Sequence, residues 1–160
     1  MSVTAIYPGR FDPVTNGHLD IVRRASALFE KVIVSVFEAP ERQTLFTTEE
    51  RMAMFTDAAK DVRGVEVRSF SGLVVDWARH VGATVIVRGI RMNADFEYEF
   101  EMALMNRKLA PEVDVVCLMT DIHYQFVRAS LIKEVARLGG DISGLAPVNV
   151  IAALKEKFGK

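Results

Sequence analysis

Short apolar runs rich in β-branched residues alternate along this chain with longer stretches of helical periodicity. The runs cover 3–7, 32–37, 65–70, 84–88 and 113–119. Several are almost continuously apolar, the pattern of strands covered on both faces. The segment 17–29 puts Val22, Ala25, Leu28 and Phe29 on one helical stripe. Thr47-Thr48-Glu49-Glu50 reads as a capping box, and the helix it opens turns Met52, Phe55 and Ala59 inward. Helices are also predicted over 73–81 and 95–109, the second stopped by Pro111. Two more cover 130–138, followed by Gly139-Gly140, and 147–158, with Pro147 in the first turn. Alternation of this kind predicts an α/β fold, a single domain over 1–160 built on a doubly wound parallel sheet. No repeat, low-complexity segment or linker interrupts it. Such sheets bind ligands beyond the carboxyl ends of their strands, near a reversal of strand order, so the strand exits are the places to inspect.

Composition narrows the function classes. Of 160 residues, 50% are hydrophobic and 26% charged, and the net charge is −1. No overall basic field exists to draw the chain to nucleic acid or an anionic membrane, so neither is an expected partner. Cys117 is the only cysteine, which excludes an internal disulfide and a multi-cysteine metal site. Its apolar surroundings predict a buried, unreactive thiol. Arg10 and Asp12 follow a short apolar stretch, so no signal peptide is expected, and no apolar run suits a bilayer. A cytoplasmic protein is the expectation.

The first strand exit carries the strongest chemical signal: Tyr7-Pro8-Gly9-Arg10-Phe11-Asp12-Pro13-Val14-Thr15-Asn16-Gly17-His18. Gly9, lacking Cβ, allows backbone to approach a ligand. Asn16-Gly17 marks a turn, and His18 falls in the first helical turn, where free N–H groups and the helix dipole favour an anion. An imidazole there can donate to a phosphate oxygen as charge grows on it. A Gly-His pair alone is weak, but between a strand and a helix it points to a phosphate-handling loop. At the fourth exit, Arg88-Gly89-Ile90-Arg91 offers two planar forks of donors suited to phosphate. Spacing alone would serve surface ion pairs equally well. Asp95, Glu97, Glu99 and Glu101 sit where acids favour a helix start, and their alternation scatters them too widely for a metal site. Trp77, Met52 and Met54 read as packing residues. No GxxxxGK[ST] pattern occurs, which excludes a P-loop kinase.

Thr15-Asn16-Gly17-His18 resembles the (H/T)xGH signature of the nucleotidyltransferase superfamily, which includes class I aminoacyl-tRNA synthetases. The whole segment from Tyr7 to His18 resembles bacterial phosphopantetheine adenylyltransferases. Thr15 favours that choice, because cytidylyltransferases and nicotinamide mononucleotide adenylyltransferases more often carry histidine there. Leu45–Arg51, Arg88–Arg91, Asp95–Glu99, Met105–Arg107 and Lys133–Val135 follow in family order and spacing, so the resemblance covers essentially the full chain.

The resemblance implies a Rossmann-like nucleotidyltransferase fold. It also implies transfer of the adenylyl group of ATP to 4′-phosphopantetheine, giving dephospho-coenzyme A and pyrophosphate. Mg²⁺, a homohexamer and inhibition by coenzyme A come with it. It assigns catalysis to His18, Arg42 and Arg91. ATP contacts fall to Arg10, Phe11, His18, Gly89, Ile90, Arg91 and Glu99, and to the stretch Tyr124, Gln125, Phe126, Val127, Arg128, Ala129 and Ser130. Acceptor contacts fall to Arg10, Arg42, Val74 and Arg88. Because the acceptor phosphate is already anionic, alignment and charge neutralisation would dominate catalysis. Mg²⁺ would bridge phosphate oxygens through water and substrate.

Two positions and one short run depart from the family pattern. Arg42 stands for the usual lysine, keeping the charge on a broader fork. Arg10 stands for a small hydroxyl residue, and either a charged contact or an outward swing fits. Phe126-Val127-Arg128-Ala129-Ser130 replaces a hydroxyl-rich phosphate-binding run, retaining Ser130 and adding Arg128. Two competing readings follow: a related nucleotidyltransferase with another acceptor, or a non-catalytic nucleotide or coenzyme A binder.

Overall fold

The computed structural model describes residues 2–40 and 43–160. Five parallel strands run β1 Thr4–Gly9, β2 Lys31–Phe37, β3 Val65–Phe70, β4 Val85–Ile90 and β5 Asp114–Met119. They lie side by side in the order β3-β2-β1-β4-β5, every pairing parallel. Between them come α1 Asn16–Leu28, α2 Thr48–Ala58, α3 Val74–His80 and α4 Asn93–Leu109. A 3₁₀ turn at Ile122–Tyr124, α5 Ala129–Arg137 and α6 Val148–Phe158 follow β5. The Rossmann-like α/β expectation is met. The order reverses between β1 and β4, and this reversal places the site.

Alternation along the central strands divides the core. Ala5 and Tyr7 of β1, with Val32, Val34 and Val36 of β2, face the larger side, against Val22, Phe55, Ile132 and Leu154. Ile6, Ile33 and Ile86 face the other way, toward Val75 and Ala78 of α3. Burial of each large aliphatic side chain is worth about 1.5–3 kcal/mol, so both layers hold the sheet strongly. The capping box at Thr47 and Glu50 forms as expected. Gly139, at φ +81, ends α5 in the left-handed conformation. Pro147 is the N-cap of α6, one position earlier than the first turn predicted.

Other expectations are corrected. β1 and β4 run two residues beyond their apolar runs, because register pairing continues to Gly9 and Ile90. Arg88, Gly89 and Ile90 are therefore strand residues, and only Arg91 follows the strand. Leu28 is exposed at the end of its helix. Cys117 is exposed too, since β5 is the sheet edge and is incompletely covered. Among the described residues, no helix is long and apolar enough to cross a membrane.

Candidate active site

The carboxyl ends of β1 and β4 open onto a cleft of about 520 Å³. Its floor is the end of β1 and the loop that follows, tied down at alternate residues. Pro8 O accepts from an Arg88 Nη at 2.8 Å, and Arg10 O from an Arg51 Nη at 2.6 Å. The Asp12 carboxylate accepts from the Leu45 and Phe46 amides at 2.9 and 3.0 Å, and from Lys133 Nζ at 2.8 Å. Phe11 adopts φ 51, a left-handed conformation unfavourable for a bulky residue. Its ring is buried edge-to-face against Tyr7, Phe55 and His18. A Cβ on Gly9 would lie 2.9 Å from that ring. Phe11 thus gives a second reason for glycine here, beside the backbone approach to a ligand expected at a residue that lines both cavities.

His18 is the third residue of α1 and completes a capping box with Thr15. The Thr15 amide donates to His18 Nδ1 at 3.0 Å, so Nδ1 carries a lone pair and the ring proton sits on Nε2. Burial, then Arg91 and Arg88, lower the His18 pKa from 6.5 to about 3. The imidazole is therefore neutral throughout the physiological range, with one N–H to offer the cleft. Burial likewise pushes the Tyr7 hydroxyl up, against the pull of Arg88 and Arg91, so it stays protonated.

Two guanidiniums are held by carboxylates on α4. Arg88 forms a two-pronged pair with Glu99 at 2.7 and 2.8 Å. Burial works against its charge, but Glu99 outweighs burial and the Arg88 pKa rises. Arg91 pairs with Asp95 through Nε at 3.1 Å and donates to Val127 O at 3.1 Å. A guanidinium has five N–H donors. Arg88 commits three, and so does Arg91 once its 3.5 Å contact to Asp95 is included. Each keeps two donors, oriented in advance, for an anion. Above them α5 begins at Ala129 with Arg128 as N-cap and no side-chain cap, leaving first-turn N–H groups for a ligand.

Most of the sequence-predicted residues converge on this cleft. Arg10, Phe11, His18, Arg88, Gly89, Arg91 and Glu99 line it, as do Val127, Arg128, Ala129 and Ser130. Ile90 is buried in the core, and Tyr124, Gln125 and Phe126 lie outside the cleft wall. Arg42 lies outside the described residues. A second cavity of about 500 Å³ adjoins the first and shares Pro8, Gly9, Arg10, Arg88, Tyr98 and Glu99 with it. Its remaining wall includes Phe37, Phe70, Leu73, Val74, Met102 and Leu109. The arrangement joins an anion-binding cleft to an apolar chamber across one shared rim.

A cytidylyltransferase-like family model matches residues 6–135. The phosphopantetheine adenylyltransferase of Thermomicrobium roseum is 53% identical over 99% of this chain and 96% of its own length. Those of Desulfosudis oleivorans and a Roseiflexus species are 52% and 50% identical, covering 97% and 98% of this chain and 92% and 98% of their own lengths. The chain belongs to the phosphopantetheine adenylyltransferase family.

Three residues of the cleft and one behind it were given no role by the sequence. Asp95 was one of four alternating acids, and only the fold singles it out as the partner of Arg91. Asp12 and Lys133 meet across 121 positions, which leaves no local signal. Arg51 had a weak one: it precedes Phe55 by one helical turn, on the inward stripe of α2, and both are fully buried.

Proposed function

We propose that this phosphopantetheine adenylyltransferase family member joins ATP to 4′-phosphopantetheine, forming dephospho-coenzyme A and pyrophosphate. The observation that carries this reading is the junction of the two cavities. Arg88 stands on the rim between a cleft lined with cationic side chains and a mainly apolar chamber of about 500 Å³. An acceptor with a phosphate head and a less polar arm would suit that junction, and Val74, in the chamber wall, would touch the arm. An oxygen of the acceptor phosphate attacks the α-phosphorus of ATP as the bond to the β-phosphate bridging oxygen breaks. The electron pair leaves with pyrophosphate. The His18 Nε2–H donates to the charge growing in the transition state, Arg91 and Arg42 neutralise the polyphosphate, and Arg88 holds the acceptor.

Mg²⁺ would add positive charge between phosphate oxygens. Among the described residues no three His, Cys, Asp or Glu side chains are grouped to hold a metal, so substrate oxygens and water would supply its ligands. The test is pyrophosphate release with 4′-phosphopantetheine, nicotinamide mononucleotide and glycerol phosphate, each with ATP or CTP and Mg²⁺. Release only with ATP and 4′-phosphopantetheine is expected. Preference for another pair would overturn the acceptor assignment, and ATP binding without release would overturn the enzymatic one.

The same reading extends to assembly, regulation and location. Phe96, Tyr98, Phe100, Leu104 and Met105 of α4 and Met119 of β5 are each more than half exposed. Covering them with further copies of the chain accounts for an apolar edge of this extent, consistent with a homohexamer. Light scattering should then give about 107 kDa, six times 17.9 kDa. Coenzyme A carries the acceptor's arm and would inhibit by occupying the apolar chamber. A user of ATP and 4′-phosphopantetheine would work in the cytoplasm.

A further inference from the structure

Arg51 lies behind the site, lines neither cavity, and is completely buried. No carboxylate lies within ion-pairing distance among the described residues. Its partners are instead three backbone carbonyls and a hydroxyl: Arg10 O at 2.6 Å, Phe37 O at 2.9 Å, Phe46 O at 3.2 Å and Thr48 Oγ1 at 3.0 Å. Four of its five N–H donors are therefore committed. An apolar side chain of similar length would fill this space without burying a charge, so packing alone gives no reason for arginine.

The geometry supplies one. Arg10 follows β1 and lines both cavities, while Phe37 ends β2 and lines the apolar chamber. One Nη donates to both carbonyls while Nε holds Phe46 O and the other Nη holds Thr48 Oγ1, a set that needs all three nitrogens of a guanidinium. We propose that Arg51 is a positioning residue for adenylyl transfer, joining the exits of β1 and β2 and so presetting where the Phe11–His18 pair faces the reacting phosphates. The connection to His18 runs through two residues. Arg51 holds Arg10 O, the next residue is the left-handed Phe11, and its ring packs edge-to-face on His18 at 5.0 Å. Ground-state binding is spread over Arg88, Arg91, the start of α5 and the apolar chamber. Displacing one loop should therefore cost alignment more than affinity, and small displacements are amplified in rate.

The inference rests on the adenylyl-transfer reading, and the test separates the two. Arg51→Lys keeps the charge but ends in a single nitrogen, so it cannot hold Arg10 O and Phe37 O while also holding Phe46 O and Thr48 Oγ1. With folding verified by circular dichroism and assays held well below its Tm, kcat should fall at least tenfold while KM for ATP and 4′-phosphopantetheine stays within about threefold. A folded Arg51→Lys protein with kcat within twofold of the parent would overturn the proposal and leave a purely stabilising arginine. If Arg51→Lys does not fold, Thr48→Val decides, since it removes one anchor at constant shape. At least a threefold loss of kcat, assayed well below a modestly lowered Tm, is expected, and an unchanged kcat overturns the proposal. Should the parent chain itself release no pyrophosphate, the reaction assignment fails and amide exchange decides on Arg51. Faster exchange confined to residues 9–12 in Thr48→Val supports positioning, and uniform or unchanged exchange refutes it.

Discussion

Replacing His18 by Asn should flatten the dependence of stability on pH, and the size of the effect follows from where the imidazole sits. Unfolded, it binds a proton with a pKa near 6.5. Folded, burial and then the charges of Arg91 and Arg88 hold it near 3. The depressed value means that the unfolded chain takes up a proton the folded one refuses. The His18 contribution is thus fully present above pH 6.5 and is lost as pH falls from there toward 3. At pH 5 the unfolded imidazole is almost fully charged, which favours unfolding by about 2 kcal/mol relative to pH 7. That figure hardly changes for any folded value below 4. Asn keeps an acceptor for the Thr15 amide and does not titrate. Urea unfolding of both proteins at pH 7 and pH 5, at equal protein concentration and ionic strength, isolates His18, because the other titrating groups cancel in the comparison. The parent should lose about 2 kcal/mol more than the variant between the two pH values. Equal losses would show that the imidazole titrates normally in the folded protein, and the neutral Nε2–H donor would go with it.

Other outcomes follow from the same geometry. His18→Ala should lower kcat by about 10²–10³ with the fold intact, as for loss of one transition-state donor, and steady-state pyrophosphate release checks it. Arg91→Ala should chiefly raise KM for ATP, by about tenfold, and an unchanged ATP dependence would contradict its assignment. Glu99→Gln removes the charge that orients Arg88. With Arg88 about one-third exposed, a stability loss of about 2 kcal/mol is expected, less than for a fully buried pair. It should come with a higher KM for 4′-phosphopantetheine, and urea unfolding with acceptor titration measures both.

The fold and the centre of the site were legible because their signals are local. Apolar runs and caps located all five strands and six helices to within a few residues, and the loop from Tyr7 to His18 declared itself by its order after a strand and before a helix. What stayed hidden depends on pairing in space. The strand ends at Arg88–Ile90 come from register with β5, which periodicity within one segment cannot carry. The role of Thr15 was legible as a motif letter but not as the donor that sets the His18 tautomer. Tyr124, Gln125 and Phe126 looked continuous with the residues that follow, yet they stay out of the cleft wall that Val127 to Ser130 enter, and Gln125 and Phe126 are exposed. Cys117 read as buried because an edge strand and a central strand look alike in apolar content.

The distribution of charge explains how a site for highly charged substrates can exist in a stable fold before they arrive. Arg88 with Glu99, Arg91 with Asp95, and Lys133 with Asp12 place three cations and three carboxylates around the cleft. Their charges nearly cancel, so the folded protein avoids the self-repulsion of a bare cationic pocket. Each carboxylate also fixes its partner's direction, which lets the unused N–H donors act without reorganisation. Excess positive charge is left to Arg10 and Arg128 at the exposed rim. Arg10 has no side-chain hydrogen bond among the described residues, and Arg128 has only a 3.8 Å contact to Met92 Sδ. The two tasks are therefore divided between two sets of residues. Paired cations in the wall supply orientation, and unpaired ones at the rim supply net attraction that salt can screen. On this division Arg10 and Arg128 add charge at the rim of a site whose geometry is fixed by the paired residues of its wall.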